Sequence, residues 1–261
     1  MVVAARNQAR EHQAVIAMNF KMYFDHAQTL KWCETAREIA LRSPVIQEGH
    51  AQLVVFPSFP SIPDVVKIFS GTSVAIGAQN MSNFEAGAYT GEVSAASLKQ
   101  VGCGYIEIGH AERRNLFGET EEQIQEKFRL ATVNGLTPLL CVGEPEPTSP
   151  EEAAWQCVSF IADAVATVAD DAQVRAIIAY EPQWAIGAEK AADIGYIKDV
   201  SARLKPWLAA HKQLANSTVI YGGSAGPGLY TELDGAVSGL FLGRRAHDPL
   251  VLESVLEETI A

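Results

Sequence analysis

Eight short apolar runs recur along the chain, and each is followed by a polar or glycine-rich turn and a segment with helical periodicity. Strands that are buried on both faces of a parallel sheet have this continuous apolar character. The runs therefore predict eight parallel strands. They span residues 14–18, 53–56, 74–76, 105–108, 139–142, 176–180, 218–221 and 239–242.

The segments between the runs predict helices with recognisable ends. Thr120 precedes two glutamates, which suits a cap followed by acids in the first turn. Ser149 precedes Pro150, which suits an N-cap followed by a first-turn proline. The longer predicted helices span 27–41, 120–134, 150–169, 191–210 and 249–260, and shorter ones lie near 62–69, 95–101 and 227–233.

The regular alternation of strand and helix indicates an α/β protein with a parallel sheet, open or closed. Eight units within 261 residues favour a closed (β/α)8 barrel over an open doubly wound sheet. No linker or low-complexity stretch divides the chain, so we expect one domain over residues 1–261. Residues 1–13 mix charges and lack an apolar core, so we interpret them as an N-terminal extension and not as a signal peptide.

The charge balance argues against whole classes of partner. The chain has 20 Lys and Arg against 31 Asp and Glu, a net charge of −11, which repels both nucleic acid and anionic membranes. The four cysteines are scattered, with no histidines at metal-ligand spacing. We therefore expect buried thiols, a reducing cytoplasmic location and no metal site. Neither a P-loop nor a complete dinucleotide fingerprint is present, so we expect no cofactor.

In a (β/α)8 barrel the chemistry lies at the carboxyl ends of the strands. Lys21 follows the first predicted strand, and His110 follows the fourth. Histidine is the natural proton shuttle near neutral pH. Glu181 follows the sixth strand beside an apolar loop with Trp184 and Ile186, so we expect a base with a raised pKa and a lid that excludes water.

Glycines after the seventh and eighth strands predict an anion site, because backbone N–H groups and helix N-termini attract phosphate. Because these groups act locally, they can bind an anionic substrate although the whole chain carries a net negative charge. Residues 222–226 also satisfy G-x-S-x-G, the nucleophile elbow of hydrolases, and Asp234 and His247 follow Ser224 in hydrolase order. Too little chain remains after Ser224 for the rest of a hydrolase sheet.

Seven motifs in this order and spacing resemble the triosephosphate isomerase family, from Ala14 to about Leu256. They are Asn19-x-Lys21, Gly77-Ala78-Gln79-Asn80, Thr90-Gly91-Glu92, Ile108-Gly109-His110, Cys141-Val142-Gly143-Glu144, Ala179-Tyr180-Glu181-Pro182 with Trp184-Ala185-Ile186-Gly187, and Tyr221-Gly222-Gly223-Ser224. The resemblance implies a single TIM barrel. It also implies an isomerase that interconverts dihydroxyacetone phosphate and D-glyceraldehyde 3-phosphate through an enediolate, in glycolysis and gluconeogenesis.

The resemblance implies a role for each catalytic residue. Glu181 would be the base that moves a proton between adjacent substrate carbons, and His110 the neutral electrophile that polarises the carbonyl. This family is the standard example of a glutamate base working with a neutral histidine. Lys21 and Asn19 would stabilise the enediolate, with Glu112 pairing Lys21.

The same resemblance implies binding, lid and interface residues. The substrate and its phosphate would contact Gly187, Tyr221, Gly222, Gly223, Ser224, Gly243 and Arg244. Residues 182–190, with Pro182, Trp184 and Ile186, would form the lid, latched by Tyr221 and Ser224. A homodimer is implied, with Thr90, Gln79 and Asn80 at its interface.

Several positions depart from the family pattern. Arg244, followed by Arg245, stands where the family has a second glycine after Gly243. Ala111 replaces a serine, and the lid hinge reads Gly187-Ala188-Glu189-Lys190. Arg244 is either a solvated side chain or one that reshapes the anion site. The change to arginine is similar to a branch of the family that acts on four-carbon ketose phosphates such as L-erythrulose 1-phosphate.

Three functions remain open from the sequence. The first is isomerisation of triose phosphates. The second keeps the same proton-transfer chemistry on a tetrulose phosphate. The third is a non-catalytic sugar-phosphate-binding protein, which the joint retention of Lys21, His110 and Glu181 disfavours because a mere binder needs no base.

Overall fold

The computed structural model describes residues 13–260, so the proposed N-terminal extension lies almost wholly outside the described part. Eight parallel strands close into a barrel in sequence order, with β1 paired to both β2 and β8. The predicted closed (β/α)8 TIM barrel is confirmed. The strands are β1 Ala14–Asn19, β2 Ala51–Phe56, β3 Ala75–Ala78, β4 Tyr105–Ile108, β5 Thr137–Val142, β6 Ile177–Tyr180, β7 Thr218–Tyr221 and β8 Gly239–Leu242.

Ten α-helices connect the strands over the described residues. They are α1 His26–Arg42, α2 Pro44–Gln47, α3 Ile62–Ile68, α4 Ala95–Gln100, α5 Ala111–Phe117, α6 Glu121–Val133, α7 Pro150–Val165, α8 Ile194–Ala210, α9 Leu229–Leu233 and α10 Pro249–Glu257. Short 3-10 turns cover Phe59–Ser61, Gln183–Ala185, Arg244–Ala246 and Glu258–Ile260.

The predicted caps are present. The Thr120 side chain accepts from the backbone N–H of Gln123, whose side chain reaches back in a capping box, and Ser149 accepts from the backbone N–H of Glu152. Three helix limits differ from prediction by three residues or more. Helix α8 begins at Ile194 because Asp193 caps it, and α10 ends at Glu257, where a 3-10 turn follows. Helix α7 ends at Val165, two residues before Thr167, whose hydroxyl donates to the Ala164 carbonyl at 2.7 Å.

Two short helices were missed in the sequence. Helix α2 begins with a proline, and α5 directly follows the fourth strand, where its N-cap is a histidine and not one of the usual capping residues. Helix α5 ends at Gly118, whose φ of 63° is left-handed. The histidine cap places this helix at the mouth of the barrel.

Side chains alternate between two cores. Those facing outward pack with the helices in a large apolar cluster, and those facing inward fill the barrel. The inward cluster consists of Val15, Ala17, Val54, Phe56, Leu139, Cys141, Ile177, Ala179, Ile220 and Phe241. The barrel is therefore filled below its mouth, and the next inward positions along each strand reach the open end.

The four cysteines are free and buried, as the sequence predicted. None of the helices described in residues 13–260 has the length and apolar character needed to cross a lipid bilayer.

Candidate active site

Strand register brings two of the predicted residues to the mouth of the barrel. On β1, Val15 and Ala17 face inward, so Asn19 occupies the next inward position. On β6, Ile177 and Ala179 face inward, and Glu181 follows by the same alternation. Asn19 and Glu181 thus lie two residues further along their strands than the last inward-facing apolar residue of the barrel core.

Lys21 is held in an uncommon backbone conformation. Its φ is 49°, a left-handed value that costs a non-glycine residue energy and is found mainly at functional sites. Its N–H donates to Oδ1 of Asn19 at 2.6 Å, and its carbonyl accepts from Nε2 of Gln79 at 3.0 Å. Its ammonium lies 2.5 Å from Oε1 of Glu112. The cation is therefore fixed at both its backbone and its side chain.

His110 is buried and neutral. Gly109 turns the chain with a φ of 72°, and His110 then caps α5 by accepting the backbone N–H of Glu112 on Nδ1 at 3.1 Å. Because Nδ1 is an acceptor, the ring proton lies on Nε2. Burial, assisted by the Lys21 ammonium, lowers the pKa of His110 to about 4. A neutral imidazole therefore offers an N–H donor to the cavity at physiological pH.

Glu181 is buried against apolar surroundings. Burial raises its pKa to about 7, while a hydrogen bond with Cys141 and the charge of Lys21 oppose that rise. The backbone of Gly222 passes so close that an added methyl group would lie 2.5 Å from Oε1 of Glu181. Glycine at this position thus leaves the space that the carboxyl group occupies, and the raised pKa suits a group that takes and returns a proton near neutrality.

One cavity of about 410 Å³ contains all three reactive groups. Lys21 reaches it from β1, His110 from β4 and Glu181 from β6. Its lining also includes Asn19, Tyr23, Ala111, Glu112, Asn115, Leu116, Gln183, Ile186, Gly187, Ala188, Gly222, Ser224, Ala225, Phe241, Leu242, Gly243, Arg244 and Arg245. The structure therefore brings together most of the catalytic and binding residues expected from the sequence.

The segment predicted to be a lid, residues 182–190, and the chain just after it are hydrogen-bonded to the barrel at several points. The Tyr221 hydroxyl accepts from the N–H of Ala192 at 3.1 Å, and the Ser224 hydroxyl lies 2.9 Å from the carbonyls of both Ala185 and Ala188. Trp184 donates its indole N–H to Glu144 at 2.9 Å. These contacts hold the lid over the cavity. They also leave Ser224 bonded to carbonyl groups and not to an imidazole, unlike a hydrolase nucleophile.

At the anion site predicted after the seventh and eighth strands, the segments that directly follow the strands are shorter than expected. After β7 the next helix, α9, has five residues, and after β8 the three-residue turn Arg244–Ala246 comes before α10, which begins at Pro249. The side chains of Arg244 and Arg245 line the cavity beside these strand ends and carry positive charge there.

The three residues assigned to a subunit interface have different surroundings in the single chain. Gln79 donates to the carbonyls of Lys21 and Phe56, so it supports the active-site backbone. Asn80 accepts from the buried Lys127 ammonium at 2.8 Å. Thr90 is exposed at the end of a loop.

Two residues of the site were missed in the sequence. Glu107 faces into the barrel from β4 and accepts from the Asn19 amide. The only signal was a charged residue within an apolar strand. Arg245 donates to the lid carbonyl of Glu189, a contact between segments far apart in sequence that no local pattern reveals.

Comparison with known proteins tests the family resemblance inferred from the motifs. The model of the family described as Triosephosphate isomerase matches residues 14–258. The chain belongs to the triosephosphate isomerase family. It is therefore an isomerase of small phosphorylated sugars, which agrees with the presence of Glu181, His110 and Lys21 in one cavity.

Curated relatives divide between two activities. The chain is 44% identical over 93% of its length to an L-erythrulose-1-phosphate isomerase of Pectobacterium atrosepticum, covering 94% of that protein. It is 37% identical over 86% of its length to a triosephosphate isomerase of Thermoanaerobacter pseudethanolicus, covering 92% of it. A triosephosphate isomerase of Nitrosomonas eutropha is 38% identical over 80% of the chain, with 82% of that protein covered.

The pKa of Glu181 predicts the pH dependence of this triosephosphate isomerase family member. Only the ionised carboxylate accepts a proton, so kcat/KM should fall as pH decreases through about 7, the pKa to which burial raises Glu181. An unperturbed glutamate would move this midpoint to about pH 4.3. Measuring kcat/KM from pH 5 to 9 tests this, with the phosphate ionisation of the substrate near pH 6 fitted as a separate step. A flat profile between pH 6 and 8 would contradict the prediction.

Proposed function

We propose that the protein moves a carbonyl group between adjacent carbons of a short ketose phosphate through an enediolate. The observation that carries this proposal is a single cavity holding the buried carboxyl of Glu181, the neutral imidazole of His110 and the ammonium of Lys21. A base, a hydrogen-bond donor and a cation are the three groups that enolisation beside a carbonyl requires.

In the proposed reaction Glu181 takes a proton from the carbon beside the carbonyl. The electron pair of that C–H bond forms the carbon–carbon double bond, and the carbonyl oxygen takes the negative charge. His110 donates from Nε2 to the developing oxyanion, and Lys21 and Asn19 stabilise it. His110 then carries the proton of the neighbouring hydroxyl group to the former carbonyl oxygen, and protonated Glu181 returns its proton to the other carbon. The new carbonyl forms at the oxygen that lost its proton, and the isomerisation needs no oxidant and no cofactor.

The two candidate substrates share a phosphate end and differ at the other end. Dihydroxyacetone phosphate would yield an aldose. In L-erythrulose 1-phosphate C1 carries the phosphate, so the carbonyl can move only to C3, and the product is again a ketose. The tetrulose adds one hydroxymethyl group at the end remote from the phosphate.

We favour the four-carbon substrate. The higher identity is to the L-erythrulose-1-phosphate isomerase, at 44% against 37–38% for the two triosephosphate isomerases compared. Triose phosphate isomerisation remains the second candidate, since the family machinery serves it equally.

The substrate assignment can be tested by hydrogen exchange. Each ketose phosphate is incubated with the enzyme in D2O, and loss of the proton beside the carbonyl is followed by NMR together with product formation. We expect the larger kcat/KM for L-erythrulose 1-phosphate. Faster turnover of dihydroxyacetone phosphate would select the triose function, and binding of both without exchange would indicate a sugar-phosphate-binding protein.

Arg244 is expected to hold the phosphate common to both substrates. Arg244→Gly should therefore raise KM for both ketose phosphates by about tenfold, because a hydrogen bond between charged groups contributes ~1.5 kcal/mol or more. Steady-state kinetics on both substrates measures this, with the exposed Arg37→Ala on α1 as the control. An unchanged KM would make Arg244 a solvated side chain, and a loss confined to one substrate would make it a determinant of chain length.

We further propose a cytoplasmic homodimer. The free buried thiols suit a reducing compartment. The loop around Thr90 is exposed and carries the stacked rings of Phe84 and Tyr89, whose centroids lie 4.2 Å apart. Such an apolar protrusion is suited to a neighbouring subunit. A place in glycolysis and gluconeogenesis would follow from triose turnover.

A further inference from the structure

A carboxyl group lies inside the barrel, below the catalytic residues. Glu107 is 2% exposed and lies on β4 between Ile106 and Ile108, which face outward into the larger core. Tyr105, two residues earlier, packs against the apolar filling of the barrel, so Glu107 faces inward by alternation. It is an acidic residue in a layer that is otherwise apolar.

This position is unfavourable for an acid. Burial and the neighbouring Glu181 raise the pKa of Glu107 well above its usual range, while the more distant carboxylates of Glu112 and Glu119 act in the same direction and Lys21 opposes them. A leucine of similar size would suit the apolar layer without that cost. Packing alone therefore does not account for a carboxyl group here.

The contact of Glu107 is with an active-site residue. Both of its oxygens lie 2.9 Å from Nδ2 of Asn19, which is 88 positions away in the sequence. The Asn19 amide has a defined orientation, because Oδ1 accepts the N–H of Lys21 at 2.6 Å and so directs Nδ2 toward Glu107. The second hydrogen on Nδ2 remains for a group in the cavity, which Asn19 lines.

We propose that Glu107 is a positioning residue of this isomerase: its carboxyl group holds the Asn19 amide from inside the barrel and, through Asn19, the left-handed backbone of Lys21. We call this Glu107–Asn19 contact the clamp. The effect of Glu107 on turnover rests on the proposed function, but the existence of the clamp does not. Without Glu107 the Asn19 amide has no fixed partner on its inner side. It can then rotate away from the orientation that Lys21 and the oxyanion require.

Two substitutions distinguish a role of Glu107 in positioning Asn19 from a role in packing the barrel core. Glu107→Leu fills the space without an acceptor, and Glu107→Gln keeps the shape and an oxygen that accepts from Asn19. We expect Glu107→Leu to lower kcat by about 10- to 100-fold with KM changed by less than about threefold, since a misplaced group affects the transition state more than ground-state binding. Glu107→Gln should restore kcat to within about fivefold of wild type.

The control is Ile177→Val, an inward-facing substitution in the same barrel filling that does not touch Asn19. Its kcat should match wild type, and the melting temperature of Glu107→Leu should not fall below that of wild type by more than about 4 °C. The proposal is overturned if Glu107→Leu keeps full kcat, if Glu107→Gln is no better than Glu107→Leu, or if Ile177→Val loses as much activity.

A second measurement needs no turnover. The side-chain amide of Asn19 gives a ¹H–¹⁵N signal pair, identified by its loss in Asn19→Asp. We expect slow hydrogen exchange of this amide in wild type and Glu107→Gln, and faster exchange with a shifted signal in Glu107→Leu. An unshifted, equally protected signal in Glu107→Leu refutes the clamp. If wild type turns over neither ketose phosphate, the proposed function is wrong. The Asn19 amide signal still shows whether Glu107 holds Asn19, because it is measured without substrate.

Discussion

Glu181→Gln should lower kcat by about 1,000-fold, within the range for loss of a general base, while KM changes little. The amide keeps the size of the side chain but accepts no proton from carbon. Gly222 has no side chain to collide with this carboxyl group, so an amide of the same size fits the same space. The NMR exchange assay measures this loss directly, because deuterium enters the substrate only when the base removes a proton.

Two further variants sharpen this result. Glu181→Asp keeps the carboxylate but withdraws it by one methylene, so it should lose about 100-fold, between wild type and Glu181→Gln. Glu146→Gln, on the exposed loop after β5, removes a carboxylate outside the cavity and should leave kcat unchanged. If Glu181→Gln retained a tenth of wild-type activity, another group would have to be the base.

Lys21→Met should lower kcat/KM by about 100- to 1,000-fold, the effect typical of losing one group that stabilises a developing oxyanion. Methionine preserves the length of the side chain and removes the charge. Because the Lys21 ammonium also lowers the pKa of Glu181, its removal should move the acid limb of the pH profile upward from about 7. The rate and the pH midpoint should therefore change together.

Lys67→Met on α3 is the matched control, since its side chain is 76% exposed and pairs only with Asp64 on the same helix. It should leave both the rate and the pH profile as in wild type. A Lys21→Met variant within threefold of wild type, or one whose acid limb moved to lower pH, would contradict the electrostatic role given to Lys21.

Most of the fold was predictable because its signals are local. Continuous apolar runs mark strands that are buried on both faces, and Thr120 and Ser149 mark helix starts through hydrogen bonds that span only three residues. The helix limits that differed depend on local competition, as at Thr167, where a side chain bonds to a helix carbonyl. Helix α5 was missed because a histidine caps it.

The candidate site was predictable to the extent that it lies at strand ends. Parallel strands in a closed barrel bring their carboxyl ends to one rim, so Lys21, His110 and Glu181 had to meet there once the eight strands were identified. Their identities and order along the chain also carried the family resemblance. The apolar loop after Glu181 predicted the raised pKa of this residue, and the resemblance implied a neutral His110. The sequence could not supply the effect of the Lys21 ammonium on both pKa values, because that effect depends on distances across the barrel.

The sequence by itself determined the barrel, its strand ends and the residues available for proton transfer, since these follow from patterns a few residues long. Only the tertiary structure decided that Glu107 accepts from the Asn19 amide, that Arg245 reaches the carbonyl of Glu189, and that Arg244 and Arg245 line the cavity. The physical reason is that barrel closure and register join residues dozens of positions apart, and no local pattern encodes those distances.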